Sequence, residues 1–122
     1  MKIYFVRHGQ SNYNVKDICN SDPKKIVYLT KLGKEQAKEV SDKLKDKKIE
    51  IIFVSQLLRT KQTAEIINEY HNVQIIADKR INDRKTGFEE KSYFDYVKFI
   101  ERDRFHIKPK GGESFQEEKK RV

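Results

Sequence analysis

Only one cysteine, Cys19, stands among the 122 residues. No disulfide can close within the chain, and with no Cys-His cluster around Cys19 a zinc site is not indicated. Long apolar runs are missing too. After Lys2 the run Ile3-Tyr4-Phe5-Val6 is too short for the hydrophobic core of a secretory signal, and no stretch is long enough to span a bilayer. A reducing cytoplasm is the expected setting, with no membrane partner. The sequence also lacks internal repeats, linkers and low-complexity tracts, so at this length it reads as one domain at most, residues 1–122.

Apolar residues are scarce relative to charge. Hydrophobic residues make up 36% and charged residues 38%, and the mean hydropathy is −0.88; a core is possible but thin. The net charge is +8. Such a field can steer anionic substrates, although much of the excess is lysine spread along 31–48 and 108–120, as on a solvated surface. Nucleic acid is not the expected partner, because no helix-turn-helix, zinc finger or aromatic RNA-binding motif is evident.

The richest segment is the beginning, Ile3-Tyr4-Phe5-Val6-Arg7-His8-Gly9. β-Branched and aromatic residues at 3–6 predict a buried strand. His8 then falls at the strand's carboxyl edge, where open α/β sheets place ligands. Gly9 permits a sharp bend and close approach of a substrate. Arg7 adds a permanently charged planar fork. Such a pair suits phosphate chemistry, the imidazole attacking phosphorus and the guanidinium holding phosphoryl oxygens. The plainer alternative is a structural histidine after a strand. Ser11 and Asn14 follow as hydrogen-bond donors for phosphate; the same residue types also cap helices.

Downstream, strands alternate with helices, the pattern of a parallel α/β sheet. Thr30 caps a helix over 31–45, with Ala37, Val40 and Leu44 at helical spacing. Glu50–Val54 predicts a second strand, 57–70 a second helix and Asn72–Ala77 a third strand. Leu58, Ala64, Ile66 and Ile67 share one face of that second helix. Arg59 lies early in it, near an N-terminus that favours anions. Two strand ends thus each deliver an arginine, and parallel strands bring both to one rim. Tyr93, Phe94, Val97 and Ile100 suggest a later helix with one apolar face.

Three motifs in order, Arg7-His8-Gly9-Gln10-Ser11 with Asn14, then Leu29 to Ala37, then Ser55 to Ala64, resemble the histidine phosphatase superfamily, phosphoglycerate mutase-like. The resemblance runs over nearly the whole chain, through Ile81-Asn82-Asp83-Arg84-Lys85-Thr86-Gly87 and Gly111-Gly112-Glu113-Ser114. It implies a three-layer α/β sandwich around a mostly parallel sheet. It implies that His8 becomes phosphohistidine, that Arg7 and Arg59 clamp the phosphoryl group, and that Asn14 is a further donor. Asp83 falls where the family usually has a glutamate proton donor; its shorter side chain reaches less far, and Glu89 and Glu90 lie nearby. The family's second active-site histidine follows a later strand. His71 and His106 are not in that context, so the chain is expected to be the N-terminal part of a longer enzyme.

The resemblance also implies a metal- and cofactor-independent reaction on a small phosphorylated metabolite, with arginines supplying the positive charge. Between phosphatase and mutase the phosphatase is favoured, because the Gly-Trp feature of glycolytic mutases is absent and the chain has no tryptophan. Phosphoglycerate mutase-type transfer, with Arg84 meeting a carboxylate, and a non-catalytic phosphate-binding remnant are the alternatives. The oligomeric state is left open.

Overall fold

The computed structural model describes residues 1–122. A short helix α1 (Asn12–Lys16) is followed by α2 (Lys31–Leu44), β1 (Ile51–Val54), α3 (Leu58–Asn68) and β2 (Gln74–Ala77). A single 3-10 turn (Lys79–Ile81) leads to α4 (Tyr93–Ile100) and α5 (Phe115–Arg121). The two strands pair in parallel, Ile51 beside Gln74 and Phe53 beside Ile76. A parallel pair needs a crossover, which α3 supplies. The expected α/β class with parallel strands is therefore present, and the sheet within these residues has two strands.

The helix starts follow from side-chain caps. Thr30 accepts the Gly33 N–H at 3.0 Å, as expected, and Ser11 and Asn14 form a reciprocal capping box on α1. The buried stripe of α2 differs from the expected one. Gly33, Ala37 and Ser41, four residues apart, face inward, whereas Val40 and Leu44 are half-buried. Small side chains let α2 pack closely against α3, and the Ser41 hydroxyl donates to the Ile66 carbonyl at 3.1 Å. A second cluster gathers Cys19, Tyr96 and Ile100 under Phe88, Val97, Ile107 and Phe115. Tyr93, Phe94 and Phe99 of the same helix are exposed.

The segment Ile3–Val6 departs from expectation. It joins neither strand, residues 1–8 make no backbone-to-backbone hydrogen bond, and Ile3 and Phe5 are 63% and 95% exposed. Strand propensity measures fit to a neighbouring backbone, and neither β1 nor β2 lies beside this segment. Gly9 also meets a packing requirement that the sequence does not show. A Cβ there would collide with the Gly33 carbonyl, and one on Gly33 with the Gln10 carbonyl. The close approach of the start of α2 by itself requires Gly9.

Only 22 of 122 residues are buried, and Phe53 and Ile51 on one sheet face stay open together with Ile3, Phe5 and Val6. Unpaired edges and clustered apolar surface promote association. The 122-residue chain should therefore elute as self-associated species in size-exclusion chromatography with light scattering. A sharp monomer across concentrations would contradict this reading.

Candidate active site

The backbone after His8 is lashed to two helices. The Gly9 N–H donates to Thr63 Oγ1 of α3 at 3.2 Å, and the Gln10 N–H to Gln36 Oε1 of α2 at 2.9 Å. Leu57 to Thr60 forms the first turn of α3, where Thr60 Oγ1 donates to the Leu57 carbonyl at 2.7 Å. Arg59, the second residue of that helix, points inward and is 4% exposed.

These anchors bring His8 and Arg59 into contact. His8 Nδ1 lies 2.7 Å from the Gly9 carbonyl. A carbonyl only accepts, so Nδ1 carries the proton and Nε2 keeps its lone pair. That lone pair receives the Arg59 Nε–H at 3.2 Å. Burial of His8 lowers its pKa from the usual 6.5; the nearby Arg59 and Arg7 act in the same direction, while the Gly9 hydrogen bond and Asp83 oppose them. The imidazole is thus held neutral, with its nucleophilic nitrogen aimed at a cation.

Arg59 is oriented by groups around it. Nη1 donates to Asn20 Oδ1 and Nη2 to the Asn20 carbonyl, both at 2.9 Å, and Nη2 also meets Asp83 Oδ2 at 3.2 Å. Asn20 has no local motif that marks it in the sequence. Its turn is held by Glu89, whose carboxylate accepts the Ser21 N–H at 2.9 Å and the Ser21 hydroxyl.

Arg7, His8, Ser11, Asn14, Arg59 and Asp83, the residues assigned to a site from the sequence, line one cavity of about 200 Å³ together with Asp17 and Arg84. Arg7 is exposed, and its side chain has no hydrogen-bond partner in the protein. Ser11 is 1% exposed, and its hydroxyl is engaged with Asn14, which takes the Ser11 N–H and hydroxyl on Oδ1, both at 2.9 Å. The Asn14 amide Nδ2 keeps both protons for a ligand. Asp83 is 57% exposed at the cavity wall. Glu89 and Glu90 do not line the cavity: the first holds Ser21, and the second accepts the Tyr13 hydroxyl at 2.7 Å. His71 and His106 lie elsewhere, the latter beside Asp103 at 3.0 Å. No group of three or more potential metal ligands is assembled, and no helix is long and apolar enough to cross a membrane.

A parallel α/β unit of the phosphoglycerate mutase-like fold thus brings a neutral histidine and two arginines to one cleft. The chain belongs to the histidine phosphatase superfamily (branch 1), whose family model matches residues 3–122. It is 36% identical over 85 residues to the uncharacterized phosphatase PhoE of Bacillus subtilis, covering 70% of this chain and 43% of that protein. It is 34% identical over 95 residues to a Shigella dysenteriae protein named "Probable phosphoglycerate mutase GpmB", covering 78% and 43%. The chain thus spans about 43% of the length of these relatives. The fold also matches the alpha-ribazole phosphatase of Shigella flexneri, with a TM-score of 0.82 at 24% identity over 95% of this chain and 60% of that one. A mycobacterial glucosyl-3-phosphoglycerate phosphatase gives 0.82 at 24% identity over 94% and 57%.

Replacing Arg59 by lysine should not be conservative. An ammonium is a point donor and cannot meet His8, Asn20 and Asp83 together. Loss of such a contact to developing charge costs about 3 kcal/mol, or roughly a hundredfold in rate. Turnover by Arg59→Lys in the full-length protein tests this; near-normal turnover would show that the reaction does not need the Arg59 fork.

The lowered His8 pKa sets a second expectation. Above 6.5 both folded and unfolded chains hold the imidazole neutral. As the pH falls below that value the unfolded chain takes up a proton that native His8 resists, so stability declines until the lowered native pKa is passed. The acid limb of kcat/KM, which reports the free enzyme, should accordingly lie below 6.5. A limb at or above that value would contradict the burial argument.

Proposed function

We propose that the site hydrolyses small phosphomonoesters through a phosphohistidine intermediate. The observation that carries this reading is the pairing of the Arg59 Nε–H with His8 Nε2 while Nδ1–H is tied to Gly9. A phosphoryl oxygen entering the cleft takes over the arginine N–H, which frees the lone pair beside the phosphorus. His8 Nε2 then attacks in line and the ester P–O bond breaks. Asp83, having taken a proton from the phosphomonoester monoanion as it binds, passes it to the departing oxygen. Water next attacks phosphorus, Asp83 takes the water's proton, the P–N bond breaks and inorganic phosphate leaves. Arg7, Arg59 and the Asn14 amide hold the phosphoryl oxygens and balance their charge. Asp83 is chosen because it lines the cavity and meets Arg59, whereas Glu89 and Glu90 do not line it and Asp17, which does, accepts the Ser92 hydroxyl at 2.7 Å.

Mutase-type transfer is the second reading, supported by the likeness to GpmB. It needs a cation for a substrate carboxylate, and Arg84 is already engaged. Its Nε donates to the Tyr96 hydroxyl and its Nη1 to Glu118, both at 2.7 Å, and it stacks 3.5 Å from the Phe115 ring centre. Hydrolysis is therefore preferred. The reading places the protein in the cytoplasm, acting on a soluble phosphorylated metabolite.

The test is phosphoryl trapping in the full-length protein. Brief exposure to a phosphomonoester should leave an acid-labile, alkali-stable phosphoryl group on His8. His8→Ala should abolish both label and phosphate release while the melting transition persists. Phosphate release by His8→Ala at near wild-type rate would overturn the mechanism, and transfer to an added phosphorylated acceptor without net release would favour the mutase reading.

A further inference from the structure

We propose that the segment from Glu113 to Arg121 is a clamp that positions Asp83 for proton delivery, with Arg121 and Glu113 as positioning residues; the inference rests on the proton-donor reading of Asp83 given above. A proton donor must sit at a set distance from the leaving oxygen. Asp83 is poorly placed to do this alone. It follows the 3-10 turn in a stretch without regular structure, is 57% exposed, and has Arg59 as its one side-chain partner. Connecting segments of this kind are mobile unless tied down.

The ties come from both sides of Asp83. Arg121 Nη1 donates to the Arg80 carbonyl at 2.6 Å and the Asn82 carbonyl at 3.0 Å. On the other side, the Glu113 N–H donates to the Lys85 carbonyl at 2.7 Å, and the Lys85 N–H to Glu113 Oε1 at 3.2 Å. Arg121 and Glu113 then bond each other, Nη2 to Oε1 at 2.6 Å and Nε to Oε2 at 3.3 Å. One ion pair thus bridges the backbone just before Asp83 to the backbone just after it. Arg84 adds its contact with Glu118. The Asn82 side chain ties the same loop to Gln56, just before α3.

The Gly111-Gly112-Glu113-Ser114 motif acquires a reason here. Gly111 turns with φ +75°, and a Cβ on Gly112 would strike the Thr86 backbone. That close approach delivers Glu113 to Lys85. Ser114 then caps α5, accepting the Glu117 N–H at 3.2 Å, and the helix carries Arg121 back over the loop.

The discriminating readout is leaving-group dependence. The p-nitrophenolate of p-nitrophenyl phosphate leaves without a proton, whereas the alkoxide of an alkyl phosphate needs one. The kcat/KM values for both substrates, which report the step that expels the leaving group, should be measured on the full-length protein. In Arg121→Gln the aryl-to-alkyl ratio should rise about tenfold or more, part of the range a positioned proton donor contributes. Arg121→Lys, which keeps a cation for the two carbonyls, should restore part of the loss. Asp83→Asn should raise the same ratio further. Equal losses on both substrates in Arg121→Gln, alongside a raised ratio in Asp83→Asn, would overturn the clamp and leave the acid assignment standing. An unchanged ratio in Asp83→Asn would overturn the acid assignment and the clamp with it.

Discussion

A guanidinium that is 4% exposed must find partners for its N–H groups, because an unpaired buried charge is far more costly than the pairing is favourable. Arg59 meets that demand with groups from three parts of the chain: His8 from the N-terminal segment, Asn20 from the turn after α1, and Asp83 from the loop after β2. Those partners are 51, 39 and 24 residues away in sequence. Satisfying one side chain therefore brings three loops together. The same constraint makes the cleft: whatever holds Arg59 also faces the space beside His8 Nε2.

The supports around this centre are polar rather than greasy. The buried set includes Ser11, Asn20, Ser21, Ser41, Ser55, Thr63 and Ser114 beside a small number of aliphatic residues. Most are tied to backbone groups: Thr63 to Gly9 and the Arg59 carbonyl, Ser41 to Ile66, Ser114 to Glu117. Buried polar groups that are fully bonded specify geometry more sharply than they add stability. For a site that must hold a neutral imidazole against a cation, geometry is the greater need. Side-chain caps on α1, α2, α4 and α5 do comparable work at the helix ends, each through the hydroxyl of a serine or threonine.

Local patterning was a good guide wherever an element is made by its own residues. Thr30 before a periodic run marks α2, the Ile51–Val54 and Gln74–Ala77 runs mark the paired strands, and Tyr93 to Ile100 marks α4. It was a poor guide where an element needs a distant neighbour. Ile3–Val6 has strong strand character and no backbone beside it to pair with. Gly9 and Gly33 look like independent loop and helix glycines, and only their mutual contact explains both. Asn20 carries no local signal, since its role comes from a guanidinium on another element.

The sequence by itself determined the chemistry on offer: a histidine flanked by Arg7, a second arginine at a helix start, and carboxylates in a later loop. Side-chain type and short-range spacing are enough for that. Which of these groups meet in one cleft was set by the tertiary structure. It sets Asp83 and Asp17 in the cleft wall, the first against Arg59 and the second tied to the Ser92 hydroxyl, and uses Glu89 and Glu90 as struts. It gave His8 its proton on Nδ1 by setting the Gly9 carbonyl beside that nitrogen. It engaged Ser11 in a helix cap and left the Asn14 amide free. Such choices depend on distances of a few tenths of an ångström between groups remote in sequence, and hydrogen bonds weaken steeply outside that tolerance.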